Sequence, residues 1–358
     1  MPQQAYTIGR RRIALLCEGN FDPDNAKTAT GVIIWRPEEV VAVIDSKTAG
    51  KTVDRLLGFG KGIPIVKSVA EAARLGADEL IIGVANVGGV LPPGFRRIIG
   101  KAICSGMNVT SGLHEMLGED PALAALAKKH KVRIRDLREV PSVRCGWNRA
   151  RTLANRRVLA IGSDCNAGKM CTALTLTREF RSRGCDAKFL ATGQTGIMIS
   201  GDGLCIDRAI SDFASGVAEK LVMDSAAHDW LFVEGQGSLD SPSYSGVALS
   251  LLHGTAPQAL VLCHMLDPRR RHDDGSALLP LSETIRLNEM MSACILPAKV
   301  VGVSVITSGM KEAAARRALR KLEDELGLPV TDSLRFGVAN LADALIAFYR
   351  KHPPRAVT

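Results

Sequence analysis

No stretch of this chain approaches the run of about 18 to 20 apolar residues that spans a bilayer. The apolar run Ile13 to Cys17 follows a basic start but ends at Glu18, far too short for the core of a signal peptide. No CxxC pair occurs among the nine cysteines, and the count is odd, which argues against a structural zinc site and against a disulfide framework. A cytoplasmic protein that works without a membrane is the expectation. Aromatic residues are scarce at 4%, while small aliphatics and 34 glycines dominate, a composition suited to buried parallel strands, helices and tight turns. Tandem repeats and low-complexity tracts are also missing.

What is present points to an α/β enzyme. At 358 residues the chain exceeds what one hydrophobic core usually fills, so two domains are expected. The formal charge of +9 is spread along the chain instead of sitting in one tail, and no nucleic-acid motif accompanies it. Small anionic molecules are therefore the expected partners, and nucleic acid is not.

Short apolar runs alternate with helical patterns, which implies doubly wound parallel sheets. In the first part the candidate strands are Ile13 to Cys17, Val40 to Ile44, Leu80 to Ile82 and Val132 to Ile134, with helices such as Val69 to Leu75 and Phe95 to Cys104. Residues 144–157 carry five arginines with little apolar periodicity and read as a basic surface linker between domains 1–143 and 158–358. Beyond it the candidate strands are Val158 to Ile161, Ala187 to Leu190, Trp230 to Val233, Ala259 to Cys263 and Val300 to Val305. The helices between and after them are Lys169 to Arg183, Val247 to Leu252, Leu281 to Met291 and Lys311 to Leu326, two of them stopped by Gly184 and Gly327.

The sharpest feature is VLAIGSDCNAGKM, where an apolar strand runs into Gly162, five residues intervene, and Gly168 and Lys169 open a helix. This resembles the G-x-x-x-x-G-K pattern of a phosphate-binding loop, with one residue more between the two glycines. Its glycines let successive amides face inward, the helix N-terminus adds partial positive charge, and the lysine reaches phosphate oxygens. Gly162, Ser163, Asp164, Cys165, Asn166, Ala167, Gly168, Lys169, Met170 and Cys171 are the candidate anion-holding residues. Met170 stands where a nucleotide-hydrolysing loop has Ser or Thr for magnesium, and a thioether is a poor ligand for that hard ion. Thr172, two residues on, does not simply replace it. A second string, DSKTAGKT at Asp45 to Thr52, lacks the first glycine and reads as a polar loop after a strand.

Three further strand ends in the second domain are rich in polar residues and glycine. They are Ala191 to Gly203 with Gln194, Thr195 and Gly196, then Glu234 to Gly237 with Gln236 and the following Tyr244, then His264 to Asp274 with Asp267, Arg269, Arg270 and Arg271. Ligands of open parallel sheets sit outside the carboxyl ends of strands, so these loops should converge on the phosphate loop. Glu234 reads as a magnesium ligand, a general base or an ion-pair partner of Lys169. His264 and Asp267 are candidate proton carriers, although a lone histidine at a strand end is equally a structural residue. Arg269 to Arg271 form either a solvated turn or a carboxylate clamp. In the first domain, Cys17 to Gly31 and Gly83 to Gly89 follow strands in the same manner but lack G-x-G-x-x-G.

The segments GSDCNAGK, ATGQTGIMISGDG, VEGQGSLDSPSYSGVALSLLHG and VLCHMLDPRRR together resemble the D-glutamate N-acetyltransferase family of bacteria and archaea. The resemblance covers most of the chain and is looser in the N-terminal part. It implies a Rossmann-like N-terminal domain and a C-terminal domain of the P-loop NTPase kind, distantly similar to dethiobiotin synthetase, whose acidic strand-end residue corresponds to Glu234. It also implies transfer of acetyl from acetyl-CoA to the amine of D-glutamate. The phosphate groups of coenzyme A are anions that a P-loop holds without hydrolysing anything. Such a transfer needs a deprotonated amine, from which Glu234, Asp267 or His264 would take the proton, and amide donors for an oxyanion from Gln194 to Gly196 or Gln236 to Ser238. The arginines at 269 to 271 are the first candidates for the substrate carboxylates. A homo-oligomer is the expected assembly. The competing readings are an ATP- and magnesium-dependent ligase or kinase and a nucleotide-sensing regulatory protein.

Overall fold

The computed structural model of the chain describes residues 11–22, 25–85, 87–266, 270–271 and 274–354. Their contacts divide into two units, each built on a wholly parallel six-stranded sheet.

The first unit runs to Glu139 and also takes in residues 197–208. Its strands β1 (Ile13–Leu16), β2 (Val40–Ile44), β3 (Ile65–Val66), β4 (Glu79–Ile82), β5 (Asn108–Ser111) and β6 (Ile134–Asp136) lie in the order β3-β2-β1-β4-β5-β6, the doubly wound Rossmann-like arrangement. Helices α1 (Lys27–Trp35), α2 (Val53–Leu57), α3 (Val69–Arg74), α4 (Phe95–Cys104) and α5 (Pro121–His130) alternate with them. All of β1 is buried, which is why it reads as an unbroken apolar run. Local chemistry sets helix starts: the Ser68 hydroxyl accepts from the Glu71 amide before α3, and Asp120 accepts from Ala122 and Leu123 amides with Pro121 behind it at α5. Strand β6 begins two residues later than the apolar pattern suggests, because Lys131 at φ 58° turns the chain out of α5. Residues 197–208 are tied in by Arg11 and Arg135, which donate to the carbonyls of Met198 and Gly201, and by an ion pair of Arg138 with Asp207. Periodicity does not register such an excursion.

The second unit holds β7 (Arg156–Gly162), α6 (Lys169–Ser182), β8 (Ala187–Leu190), the start of α7 (Gln194–Ser200), α8 (Ser211–Met223), β9 (Trp230–Val233), α9 (Ser245–Thr255), β10 (Ala259–Met265), α10 (Leu281–Ala293), β11 (Lys299–Ile306), α11 (Glu312–Leu326), β12 (Val330–Thr331) and α12 (Ala339–Lys351). Its strand order is β12-β11-β10-β7-β9-β8. The few aromatics gather here: Phe180 of α6 lies 4.4 Å from Trp230 and 4.9 Å from Phe232, and Tyr349 of α12 meets Trp230 edge-on at 5.1 Å. Among the described residues no helix is long and apolar enough to cross a membrane.

Strand β7 begins at Arg156, inside the stretch whose arginines read as a surface linker. Arg157 is fully buried, because its guanidinium finds acceptors in the interior: the carbonyls of Thr255 and Ala256 at 3.1 and 2.9 Å, those of Leu153 and Asn155, and the Asn155 side chain at 2.8 Å. The Tyr349 hydroxyl donates to the Arg157 carbonyl at 2.8 Å. Arg157→Ala would strand several buried acceptors and should lower unfolding free energy by about 3 kcal/mol or more, and Tyr349→Phe by about 1 kcal/mol. Urea denaturation checks both, and an unchanged midpoint for Arg157→Ala would refute this role.

Candidate functional site

Strand β7 pairs with β9 on one side and β10 on the other, with Gly162 opposite Cys263. From β7 the chain goes to β8 at one edge and returns to β9 beside β7, then crosses to β10, β11 and β12 on the other flank. The loops after β7 and β10 therefore part, and the crevice where they do is where open α/β sheets take ligands. The phosphate loop stands there.

Within that loop the lysine folds back. Lys169 is buried and donates from Nζ to the Asp164 carbonyl at 2.7 Å. Gly162 permits this, since a Cβ at that position would fall 2.6 Å from Nζ. Gly168 (φ 87°) and Asn166 (φ 53°) take the left-handed conformation that curls the loop. Burial pushes the Lys169 pKa below the usual lysine range, with Cys165, Cys263, Asp164 and Glu234 acting the other way. Met170 and Cys171 are half-buried in the first turn of α6. Thr172 is fully buried with its hydroxyl on Ser304 Oγ at 2.9 Å, so it does not supply the hydroxyl missing at 170.

Ser163 and His264 bridge the parting of the loops. Ser163 Oγ lies 2.8 Å from His264 Nδ1 and donates weakly to the Cys263 carbonyl at 3.5 Å. Burial pulls the His264 pKa below its ordinary range, opposed by Asp164, so the ring favours its neutral form. The neighbouring Cys263 thiol is pushed up to about 11, chiefly by burial, and stays protonated at neutral pH.

Glu234, at the end of β9, is buried and gripped by backbone. Its Oε2 accepts from the Thr192 amide at 2.9 Å and the Gly193 amide at 3.2 Å, and the Thr192 hydroxyl donates to the Glu234 carbonyl at 2.8 Å. Gly196 presses on the same oxygen, where a Cβ would come within 2.4 Å. Gln236 Nε2 adds a bond to the Thr192 carbonyl at 2.5 Å. Thus Gln194, Thr195 and Gly196, which open α7, are held against the end of β9. Thr192 is a member of this cluster that the motif reading did not single out, although its place two residues past β8 was the available signal. Tyr244 is exposed and backs Gly237, whose Cβ would lie 2.4 Å from its own.

The arginines separate in role. Arg271 is buried, forms an ion pair with Asp240, donates to Ser238 Oγ at 3.1 Å and reaches the Ser163 carbonyl at 3.5 Å. Arg270 is exposed and donates to the Gly275 carbonyl at 2.9 Å, away from the phosphate loop's hydrogen bonds. Asp267 and Arg269 lie outside the described residues. Two buried acceptors in this neighbourhood, Gln194 Oε1 and Asp240 Oδ1, have no hydrogen-bond partner among the described residues.

Residues 144–342 match the P-loop domain of the DUF1611 family, a domain of unknown function, and residues 46–140 match its Rossmann-like N-terminal domain. The chain is 39% identical to a D-glutamate N-acetyltransferase of Tritonibacter scottomollicae over 90% of its length and 94% of that protein. A D-glutamate N-acetyltransferase of a Pseudoalteromonas species is 41% identical over 76% of this chain and 83% of its own. A crystal structure of a DUF1611 family protein from Anabaena variabilis superposes with a TM-score of 0.90 at 37% identity, covering 94% of this chain and 99% of that one.

The close approaches yield a contrast. A Cβ on Gly235 would fall 1.8 Å from the Ala160 carbonyl oxygen, which is backbone and cannot swing away, whereas one on Gly193 would meet only the Gln236 and Glu234 side chains, at 3.5 and 3.8 Å. Gly235→Ala should cost about 3 kcal/mol of stability and Gly193→Ala under about 1 kcal/mol. Equal denaturation midpoints for the two variants would contradict the packing described.

Proposed function

Because the chain belongs to the DUF1611 family, we propose that it moves an acetyl group from acetyl-CoA to the amine of D-glutamate, giving N-acetyl-D-glutamate and free coenzyme A. It is an N-acetyltransferase, as its relatives are; the donor and the acceptor are the proposed part. The observation that carries the reading is the 39% identity to a D-glutamate N-acetyltransferase across 90% of the chain.

The site's chemistry fits. Acetyl-CoA supplies the acetyl group as a thioester, and its phosphates are the anions that loop amides, the α6 N-terminus and a buried ammonium hold. Gly162 to Cys171, with Lys169 at the centre, would hold them. Met170 suits a loop that holds phosphates more than one that hydrolyses them with a hard metal ion. Gln194 Oε1 is a buried acceptor suited to an N–H donor such as the amino group of the acceptor substrate.

Among the proton carriers, His264 is assigned as base. With Nδ1–H donating to Ser163 Oγ, the other ring nitrogen carries the lone pair, and a buried neutral imidazole is ready to accept a proton at pH 7. Glu234, already accepting two amides, is assigned the task of fixing the loop that leads into Gln194 to Gly196. Amides of Gln194 to Gly196 or Gln236 to Ser238 would receive the oxyanion. Of the two described arginines proposed for the substrate carboxylates, Arg271 is the one whose guanidinium reaches the phosphate loop.

Thiol release from acetyl-CoA in the presence of a panel of D- and L-amino acids tests the reaction, with D-glutamate expected to be turned over fastest. Lys169→Ala should weaken acetyl-CoA binding by about 2 to 4 kcal/mol in calorimetry, as for loss of one partner of a buried charged contact. Unchanged affinity would remove coenzyme A from the loop, and tight magnesium-dependent ATP binding would favour phosphoryl transfer instead.

The base assignment has its own readout. The working form of His264 is deprotonated, so kcat should fall as the pH drops through its pKa, which burial holds below the ordinary 6.5, and be level from neutral pH upward as far as this group is concerned. His264→Asn should lower kcat by about 10² to 10⁴ and remove that acid limb. Glu234→Gln should instead lower the melting temperature and raise KM for the amino acid. A large loss of kcat in Glu234→Gln with an unchanged melting temperature would transfer the role of base to Glu234.

A further inference from the structure

A second cavity lies in the same unit and takes no part in the site above. It has a volume of about 440 Å³ and is lined by Arg144, Trp147, Arg149, Lys220, Met223 and Asp224 among others. Residues 142–149 lead into β7 at its amino end, whereas the phosphate loop leaves it at the carboxyl end.

Its wall is built. The stretch carries no regular structure until a short 3₁₀ turn at Arg149–Thr152, yet it is clamped onto α8. Buried Glu219 accepts from the Trp147 amide at 3.2 Å, from the Arg149 amide and from the Arg149 guanidinium at 3.2 Å. Gly216 lets the Arg144 carbonyl lie where a Cβ would come within 2.0 Å, and Gly146 sits against Ser215 in the same way at 2.8 Å. A buried carboxylate and two glycines thereby fix a turn on which Trp147 stays 70% exposed. An exposed indole on a rigid backbone is a stacking face held in place before any partner arrives.

The charges around it are cationic in surplus. Arg149 is committed to Glu219 and Lys220 to Asp224, while Arg144 has no ion-pair partner among the described residues. A planar ring and an uncommitted guanidinium lining one space of small-molecule size match an aromatic base carrying phosphate. We propose that this cavity binds a purine nucleotide, independently of the phosphate loop. The inference does not rest on acetyl transfer.

ADP titrated into the full-length Lys169→Ala protein tests it, with the phosphate loop disabled. Saturable binding to one site by calorimetry, with quenching of tryptophan fluorescence, is expected, because Trp35 and Trp230 are buried and Trp147 is the exposed indole. Arg144→Ala in that background should weaken ADP by about tenfold, Arg144→Glu should abolish binding, and Trp147→Phe should remove the quench. Circular dichroism of these surface variants should match the parent. ADP binding that vanishes with Lys169→Ala alone, or that ignores Arg144→Glu, overturns the proposal. So does a Trp147→Ala variant that changes sedimentation mass with ADP affinity intact, since the cavity would then be a contact between copies of this chain.

Discussion

A buried ammonium organises the second unit. Lys169 is removed from water at the point where the sheet changes direction, and a charge in that position must be answered by polar groups close at hand. The Asp164 carbonyl accepts one of its hydrogen bonds, and Asp164 and Glu234 supply opposing charge. Its side chain needs room as well. Gly162 and Gly235 both lie where a Cβ would run into Lys169, at 2.6 Å from Nζ and 3.2 Å from Cδ. Two glycines, one closing β7 and one just past β9, the left-handed Asn166 and Gly168, and the carboxylate at the end of β9 follow from housing one cation.

Under the proposed acetyl transfer, that arrangement would let a loop with nucleotide-binding geometry hold the donor's phosphates. Phosphate holding needs amides, a helix N-terminus and a cation, all of which survive when the residue after the lysine is Met170. Coupling the loop to phosphoryl transfer needs a hard oxygen ligand for magnesium, and the nearest hydroxyl, on Thr172, is turned to Ser304. In that proposal proton transfer would fall to groups across the crevice, where β10 brings His264 against Ser163.

The first unit shows the same economy of polar groups. Asp45, buried at the end of β2, accepts from the Gly19 amide at 2.6 Å and the Thr48 amide at 3.1 Å, so it ties the loops after β1 and β2 together. The string from Asp45 to Thr52 therefore forms a self-bonded polar turn despite its Gly-Lys-Thr ending. Glycine and lysine in sequence do not make a phosphate loop unless the first glycine and the helix stand where the backbone can curl.

Much was legible because it is local. Apolar runs alternating with helical patterns marked nine strands, the glycines before Lys169 marked the loop, and strand-end polarity marked Glu234, Gln194, Gln236 and His264. Parallel strands buried on both faces leave that pattern in any sequence. What only the tertiary structure decided depends on partners distant in the chain. Arg157 reads as one more linker arginine until carbonyls about a hundred residues away receive it. Glu234 and His264 look alike as strand-end titratable groups, yet one is gripped by two amides and the other faces a single hydroxyl across the crevice. Arg270 and Arg271 are adjacent, and only folding sends one to solvent and the other to Asp240. Residue type and spacing fix what a side chain is able to do, whereas burial and hydrogen-bond partners, set by contacts that no periodicity encodes, fix what is left for it to do.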